Sequence, residues 1–291
     1  MVRFNIVKSK KIVIGLVFSF FLFSSYVLFD SNIIVALQPN TNKVYTKDGK
    51  EFEFRYLQND AFGYGEKLDY KVIFSFITAG EGYFHILPKK IYRGNNRECY
   101  DIRFQVNSLK SLEWIYKVTD NYRTVLDAGG IFPWEFEQKI REGNYKRDFR
   151  ADFDHVNNKV YAKDTSYNID RYTHDIVSAF FYVRTLNLSA MPKNHIFYLK
   201  NFFDDTTYNL GVKIHGKQNV TVEAGKFRCI VIEPLVVEGG LFKSEGQILI
   251  WVTDDDRKIP VKVATKILIG YVSAELISYR GLRGPLKSKL D

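Results

Sequence analysis

Cysteine is scarce in this chain: of its 291 residues only Cys99 and Cys229 are cysteines. Two thiols permit one intramolecular bond at most, which excludes a disulfide-dense scaffold and a four-cysteine zinc site. Proline is also rare, at seven residues, while 46% of the chain is hydrophobic and 16% aromatic, which excludes a disordered polypeptide. The five histidines, His85, His155, His174, His195 and His215, stand singly. No HExxH, HxH or GxSxG pattern gives any of them a partner, so the sequence names no catalytic residue, no metal ligand and no cofactor. Nor does one sign of charge dominate. The 42 Lys and Arg exceed the 33 Asp and Glu by nine, and the bases are scattered among the acids. Such a surface mildly favours anionic lipid headgroups or acidic polysaccharide.

One long hydrophobic run is present, the 18 residues 12–29, and Arg3, Lys8, Lys10 and Lys11 precede it. A basic flank followed by an apolar helix is an export signal. The run is longer than the roughly 7 to 15 residues of a signal core and at the lower edge of a bilayer span. Residues 1–36 therefore read either as a signal peptide cleaved near Ala36 or as an uncleaved anchor that touches the membrane through residues 12–29. No cysteine directly follows the run, which excludes a lipobox anchor. In both cases the positive flank stays cytoplasmic and the remainder lies in the periplasm or cell envelope, where nucleic acid is not an expected partner.

Beyond a lead-in over residues 37–60, period-two alternation dominates. Leu68, Tyr70, Val72, Phe74 and Phe76 share one face of a predicted strand, as do Tyr100, Ile102, Phe104 and Val106, and Tyr208, Leu210, Val212 and Ile214. Thr119-Asp120-Asn121, Asn157-Asn158, Ala224-Gly225 and Asp254-Asp255-Asp256 supply turn chemistry between such runs. The fold class expected is mainly β, an antiparallel meander over residues 61–280. Residues 175–185 break the rhythm: Ile176, Val177, Phe180, Phe181 and Val183 recur at helical spacing, with Thr173 or Asp175 available as N-cap. This predicts one amphipathic helix packed on the sheet. Residues 134–141 suggest a second short helix, and residues 281–291 a frayed basic tail.

A series of weak motifs then gains meaning from its order. Gly65-Glu66-Lys67-Leu68-Asp69-Tyr70, Ile77-Thr78-Ala79-Gly80, Tyr116-Lys117-Val118-Thr119-Asp120, Tyr182-Val183-Arg184, Gly225-Lys226-Phe227-Arg228-Cys229 and Ile250-Trp251-Val252-Thr253-Asp254-Asp255 follow one another. Together they resemble the bacterial family called domain of unknown function 3108. The resemblance implies an exported antiparallel β protein, an incomplete β-barrel of the kind seen in envelope lipoprotein carriers. The family has no established reaction, so no functional residue transfers from it.

The residues themselves leave several readings open. Asp148, Asp152 and Asp154 share a face and could serve an envelope hydrolase or hold a cation, although a solvated strand face is the commoner explanation. The aspartates 254–256 read as a hairpin turn. Arg184 either pairs beneath the sheet or sits as a solvated cation on the last helical turn. Trp251, Tyr182 and Arg184 are the candidate lining of a ligand cavity, because the strand around Trp251 is apolar on both faces and both must be covered. Cys99 and Cys229 either form a disulfide or remain separate buried thiols. The function expected is non-catalytic: a binding or structural component of the envelope whose partner is a lipid-like or glycan ligand or another envelope protein. An integral outer-membrane barrel is the third reading, and the helical interruption and the end at Leu290-Asp291 speak against it.

Overall fold

The computed structural model describes residues 43–45, 49, 51–235, 247–267 and 270–290, so the export segment 1–36 lies outside the described residues. The chain order is β1 (Lys43–Tyr45), β2 (Glu51–Glu53), β3 (Lys67–Phe74), β4 (Ile77–Ile86), β5 (Ile91–Arg93), β6 (Arg97–Ser108), β7 (Thr119–Asp127), β8 (Pro133–Glu142), β9 (Tyr145–Asp154), β10 (Lys159–Ala162) and β11 (Thr165–Asn168). The one α-helix among the described residues, α1 (Ile176–Thr185), follows. Then come β12 (Ile196–Phe203), β13 (Thr206–Val222), β14 (Gly225–Leu235), β15 (Ile248–Thr253), β16 (Pro260–Ile267), β17 (Gly270–Arg280) and β18 (Lys289–Leu290).

Apart from the β1–β2 pair, all strands join one 16-stranded antiparallel sheet. Its path runs from β11 through β10, β9, β8, β7, β6 and β4 to β3, then on through β17, β16, β15, β14 and β13 to β12. Nearly every neighbour is thus a sequential hairpin partner. The exceptions are β4 with β6, which skips the short β5, β14 with β18, and β3 with β17, whose register pairs Val72 with Ala274 and Tyr70 with Leu276. The chain begins in the middle of the sheet, meanders out to one edge, and re-enters at the other after the helix. The sheet curls but does not close, leaving β11 and β12 as its two edges.

Curling has local causes. Register shifts at Val72/Ile73, Trp251/Val252 and Leu276/Ser278 add twist where β3, β15 and β17 turn round the core. At Gly80 and Gly82 of β4 an added Cβ would sit 2.5 and 2.7 Å from the carbonyl oxygens of Asn107 and Gln105, so only glycine lets β4 and β6 approach this closely. Alternation does the rest. Leu68, Tyr70 and Val72 of β3, Tyr100 to Val106 of β6 and Tyr208 to Ile214 of β13 bury the apolar face that the sequence predicts, whereas Phe74 is half-buried and Phe76 lies beyond the end of β3 in solvent.

Three cores result. The largest lies in the concavity, where α1 meets inward residues of β3, β4, β6 to β10, β12 to β15 and β17. In the second, the far halves of β13 and β14 fold over β16 and β17, and Phe227, Cys229, Val261, Leu276 and Leu68 pack together. Phe52 and Phe54 of the lead-in form the third with Phe132. On the outside, Arg123 bridges Asp101, Glu135 and Glu137, and Arg150 bridges Glu137 and Asp152. This charged outer face is the opposite of the apolar belt of a membrane-spanning barrel, which must also be closed.

Three expectations are corrected. Residues 134–141 are not a helix but the body of β8, because Phe136, Gln138 and Ile140 point inward while Lys139 is exposed. Thr119-Asp120-Asn121 opens β7 rather than forming a turn. The C-terminal segment is not frayed: Ser288 is fully buried and bonds Asp255, and β18 pairs with β14.

Candidate functional site

Helix α1 is the element around which a site could be built. Asp175 is its N-cap, accepting from Val177 N at 2.8 Å and Ser178 N at 3.0 Å, and it takes a third bond, 2.7 Å, from the Thr124 hydroxyl on β7. The cap therefore sets the helix against the sheet as well as starting it. Burial raises the Asp175 carboxyl to about 6, which those donors only partly offset. Phe181 is fully buried, edge-on to Phe62 at 4.9 Å and Phe84 at 6.0 Å, while Phe180 stacks on Phe84 at 5.8 Å and stays half-buried.

Of the two readings of Arg184, the structure takes the buried one. Its guanidinium donates to both carboxylate oxygens of Glu66, at 2.7 and 3.1 Å, and to the carbonyls of Arg257 and Ala61. Each side chain is 1% exposed. Tyr182 is buried under the Arg55 guanidinium, 5.1 Å away, and beside the His174 ring at 4.9 Å. Trp251 stands elsewhere. It is half-buried on β15, its Nε1 donates to Gln218 at 2.9 Å, and it packs on the second core, whereas Ile250 and Val252 face the first. Trp251 and Tyr182 thus pack on different cores.

What the fold offers instead is an apolar recess between α1 and strands β12 to β15. Ala179, Phe180, Val183, Leu199, Leu210, Val212, Ile232, Pro234 and Ile250 line it, and its free volume is about 20 Å³. That is room for one water-sized sphere, with no polar partner to hold a water. The helical stripe and the alternation of β13 and β15 were both visible in sequence. That they converge at this place required knowing that β12 and β15 flank the same helix.

Polar chemistry is arranged less productively. His174 Nδ1 lies 3.2 Å from Ser178 Oγ, but the Asp175 carboxylate faces the helix amides and Thr124, and all three side chains are shut from solvent. A nucleophile needs an oriented base and access, and this trio has neither. Burial holds His174 well below the ordinary imidazole range. Asp148 bonds Arg141 and Asp152 bonds Arg150, each at 2.9 Å, and Asp154 caps the following turn at Asn157. Asp254 is tied to Ser189, Lys217 and Arg228, Asp255 to Thr253 and Ser288, and Asp256 to Lys287, so this run is a cross-braced turn.

One pair the sequence reading missed is Asp120 with Glu142, at the start of β7 and the end of β8. Both are buried, and burial followed by the Asp120 charge pushes Glu142 up to about 8. Two carboxyls so placed share a proton. Alternation could have signalled them, since both fall on inward positions. Cys99 and Cys229 are free, buried thiols, six places apart in the sheet on β6 and β14, so the disulfide considered from sequence is not formed.

Comparison with known proteins gives a family and no activity. The family described as "Protein of unknown function (DUF3108)" matches residues 69–277. No curated protein matches. Among solved structures, a beta-barrel-like protein of domain of unknown function DUF1849 from Brucella abortus is 11% identical with a TM-score of 0.47, covering 74% of this chain and 97% of its own. A hypothetical protein from Chlamydia trachomatis is 9% identical with a TM-score of 0.33, covering 78% and 92% respectively. A Bacteroides fragilis protein with a YmcC-like fold, provisionally described as exported, is 9% identical with a TM-score of 0.27, covering 77% and 98%.

Proposed function

We propose that this chain, which belongs to the DUF3108 family of proteins of unknown function, is an exported cell-envelope protein that holds an amphiphile without transforming it. The observation that carries this reading is the recess beside α1, whose nine lining residues are all apolar. An acyl tail is the chemistry such a lining accepts; a glycan would find no hydrogen-bonding group there. Export is supported by the basic flank and the apolar run over residues 12–29.

A tail cannot enter a space of about 20 Å³ without movement, and the movable part is the half-buried Phe180 ring on α1. The seam beside it supports this. Strands β11 and β12 share no ladder, and only His174 N to Lys200 O and Phe202 N to His174 O tie the β12 edge to the segment before the helix. Side chains hold the rest: Lys200 pairs with Asp170, Asp204 with Arg147 and Lys163, and Phe202 and Phe203 pack on Phe153, Tyr167 and Phe149. No strand ladder and only two backbone bonds therefore resist a shift of β12 relative to the segment before the helix.

Titration with palmitate below its micellar concentration tests the reading. One saturable site in the wild type, tightened by Phe180→Ala, is the expected result. Failure of both forms to bind overturns it.

A further inference from the structure

We infer that one end of the sheet, the end bearing the β3–β4, β6–β7 and β8–β9 turns and the start of β17, is a docking surface for an anionic lipid bilayer. In an antiparallel meander alternate turns fall at the same end, and backbone bonds make these four contiguous. Ser75 N donates to Tyr271 O, Leu109 N to Ala79 O, and Gly143 N to Lys117 O. Along this arc the side chains at the tips are large, apolar and in water. Phe76 is 89% exposed, Trp114 82%, Tyr271 59%, Ile115 58%, Ile77 51% and Tyr145 47%. Six of the eleven exposed large hydrophobic residues among those described thus occupy one rim.

The fold makes these exposures rather than tolerating them. Ser75 takes a positive φ of 55° and so closes the β3–β4 turn tightly enough to place Phe76 at its apex. In the β6–β7 loop a short turn over Lys110–Leu112 directs Trp114 and Ile115 outward, Ile115 N bonding back to Leu112 O. Among the described residues the lead-in runs along the opposite end, where Gly65 N bonds Ile86 O and Leu57 N bonds Gly129 O.

Composition selects the occupant. The tips stand on separate loops along an arc, as wedges rather than as a flat patch, and they combine Trp, Tyr, Phe and Ile, the residues that settle at a headgroup–acyl boundary. Exposed Lys110, Lys117, Lys146 and Lys266 stand among them, against exposed Glu81 and the half-buried Glu113 that pairs with Lys117. An apolar wedge ringed by lysine is complementary to anionic headgroups over an acyl layer. The inference does not rest on the recess, since the rim side chains are none of its lining.

Trp114 reports on the contact directly, whether or not residues 12–29 also hold the chain to the vesicle. The full chain is mixed with vesicles of phosphatidylglycerol and phosphatidylethanolamine, some carrying brominated acyl chains. Bromine quenching of the tryptophan emission that is absent in Trp114→Phe, with Trp114 shielded from aqueous acrylamide, is expected. Neutral phosphatidylcholine vesicles should show less of both. Lys110→Gln should weaken the association about fivefold, the equivalent of about 1 kcal/mol per surface lysine. Trp114 and Phe76 being exposed, Trp114→Phe and Phe76→Ser should leave the melting temperature unchanged, which separates docking from folding. Equal acrylamide access with and without vesicles overturns the inference. So does shielding of Trp114 before vesicles are added, accompanied by a doubled mass in light scattering, which would make the rim a contact between two copies. Palmitate binding to the free protein is a separate measurement and can fail or succeed without touching this one.

Discussion

Arg184 on the last turn of α1 and Glu66 just before β3 form a bidentate ion pair, Nη1 to Oε1 2.7 Å, across 118 residues of sequence and with almost no exposure. The pair joins the helix to the strand at which the two halves of the sheet meet. Removing one partner leaves the other charged and buried, so Glu66→Gln should destabilise by about 3–5 kcal/mol. The double variant Glu66→Leu with Arg184→Met should recover much of that loss. Urea midpoints of the three proteins decide the point, and equal midpoints for wild type and Glu66→Gln would show the pair to be solvated.

The Asp120–Glu142 pair predicts a pH dependence of stability. In the folded chain Glu142 titrates at about 8 because it is buried beside Asp120, whereas unfolded it titrates near the ordinary carboxyl value of 4.5. A raised carboxyl pKa means the folded state binds the extra proton. Its contribution is complete below about 4.5 and is lost as pH rises through about 8, since stability falls with pH wherever the native state holds more protons. Melting temperatures should drop between pH 5 and pH 8.5 for the wild type and change less for Glu142→Gln.

At the helix start, Asp175→Ala should cost about 2 kcal/mol, the upper range for an N-cap, because it also strands the Thr124 hydroxyl. Asp175→Asn keeps an acceptor for the helix amides and removes a buried charge, so its midpoint should lie close to that of the wild type. Matching losses for the two variants would mean that the carboxylate charge itself anchors the helix.

Within the helix the two phenylalanines should separate. Phe181 is fully buried, and Phe181→Ala should cost about 3–5 kcal/mol. Phe180 is half-buried, so its truncation should cost clearly less. Lys200→Asp, which breaks only an exposed pair with Asp170, should be near neutral. Denaturant midpoints that rank these three differently would displace α1 from the concavity.

The thiols give a simple count. Cys99 and Cys229 are inaccessible and burial pushes both thiols up, so neither should react with a thiol reagent in the native protein. Under denaturing, non-reducing conditions two thiols should titrate. None titrating, in a monomer, would establish the bond that the structure lacks.

Local pattern was legible in the amino-acid sequence wherever one face of an element is wet and the other dry. Alternation placed β3, β6 and β13, and helical spacing with an Asp175 cap placed α1 to within a residue of its start. The pattern misled at residues 134–141, where Glu135, Glu137 and Gln138 have no aversion to a helix and only pairing with β7 and β9 settles the matter. It was silent on partnerships: the β3–β17 ladder, the Arg184–Glu66 pair, the position of Ser288 against Asp255 and the separation of Cys99 from Cys229 all depend on which strands become neighbours. Side-chain period tells a residue which way to face and says nothing of what it will meet. The choice of neighbour is made by the whole sheet at once, through its register, its bulges and the helix that fills it, and so only the tertiary structure could decide where the recess and the apolar rim would lie.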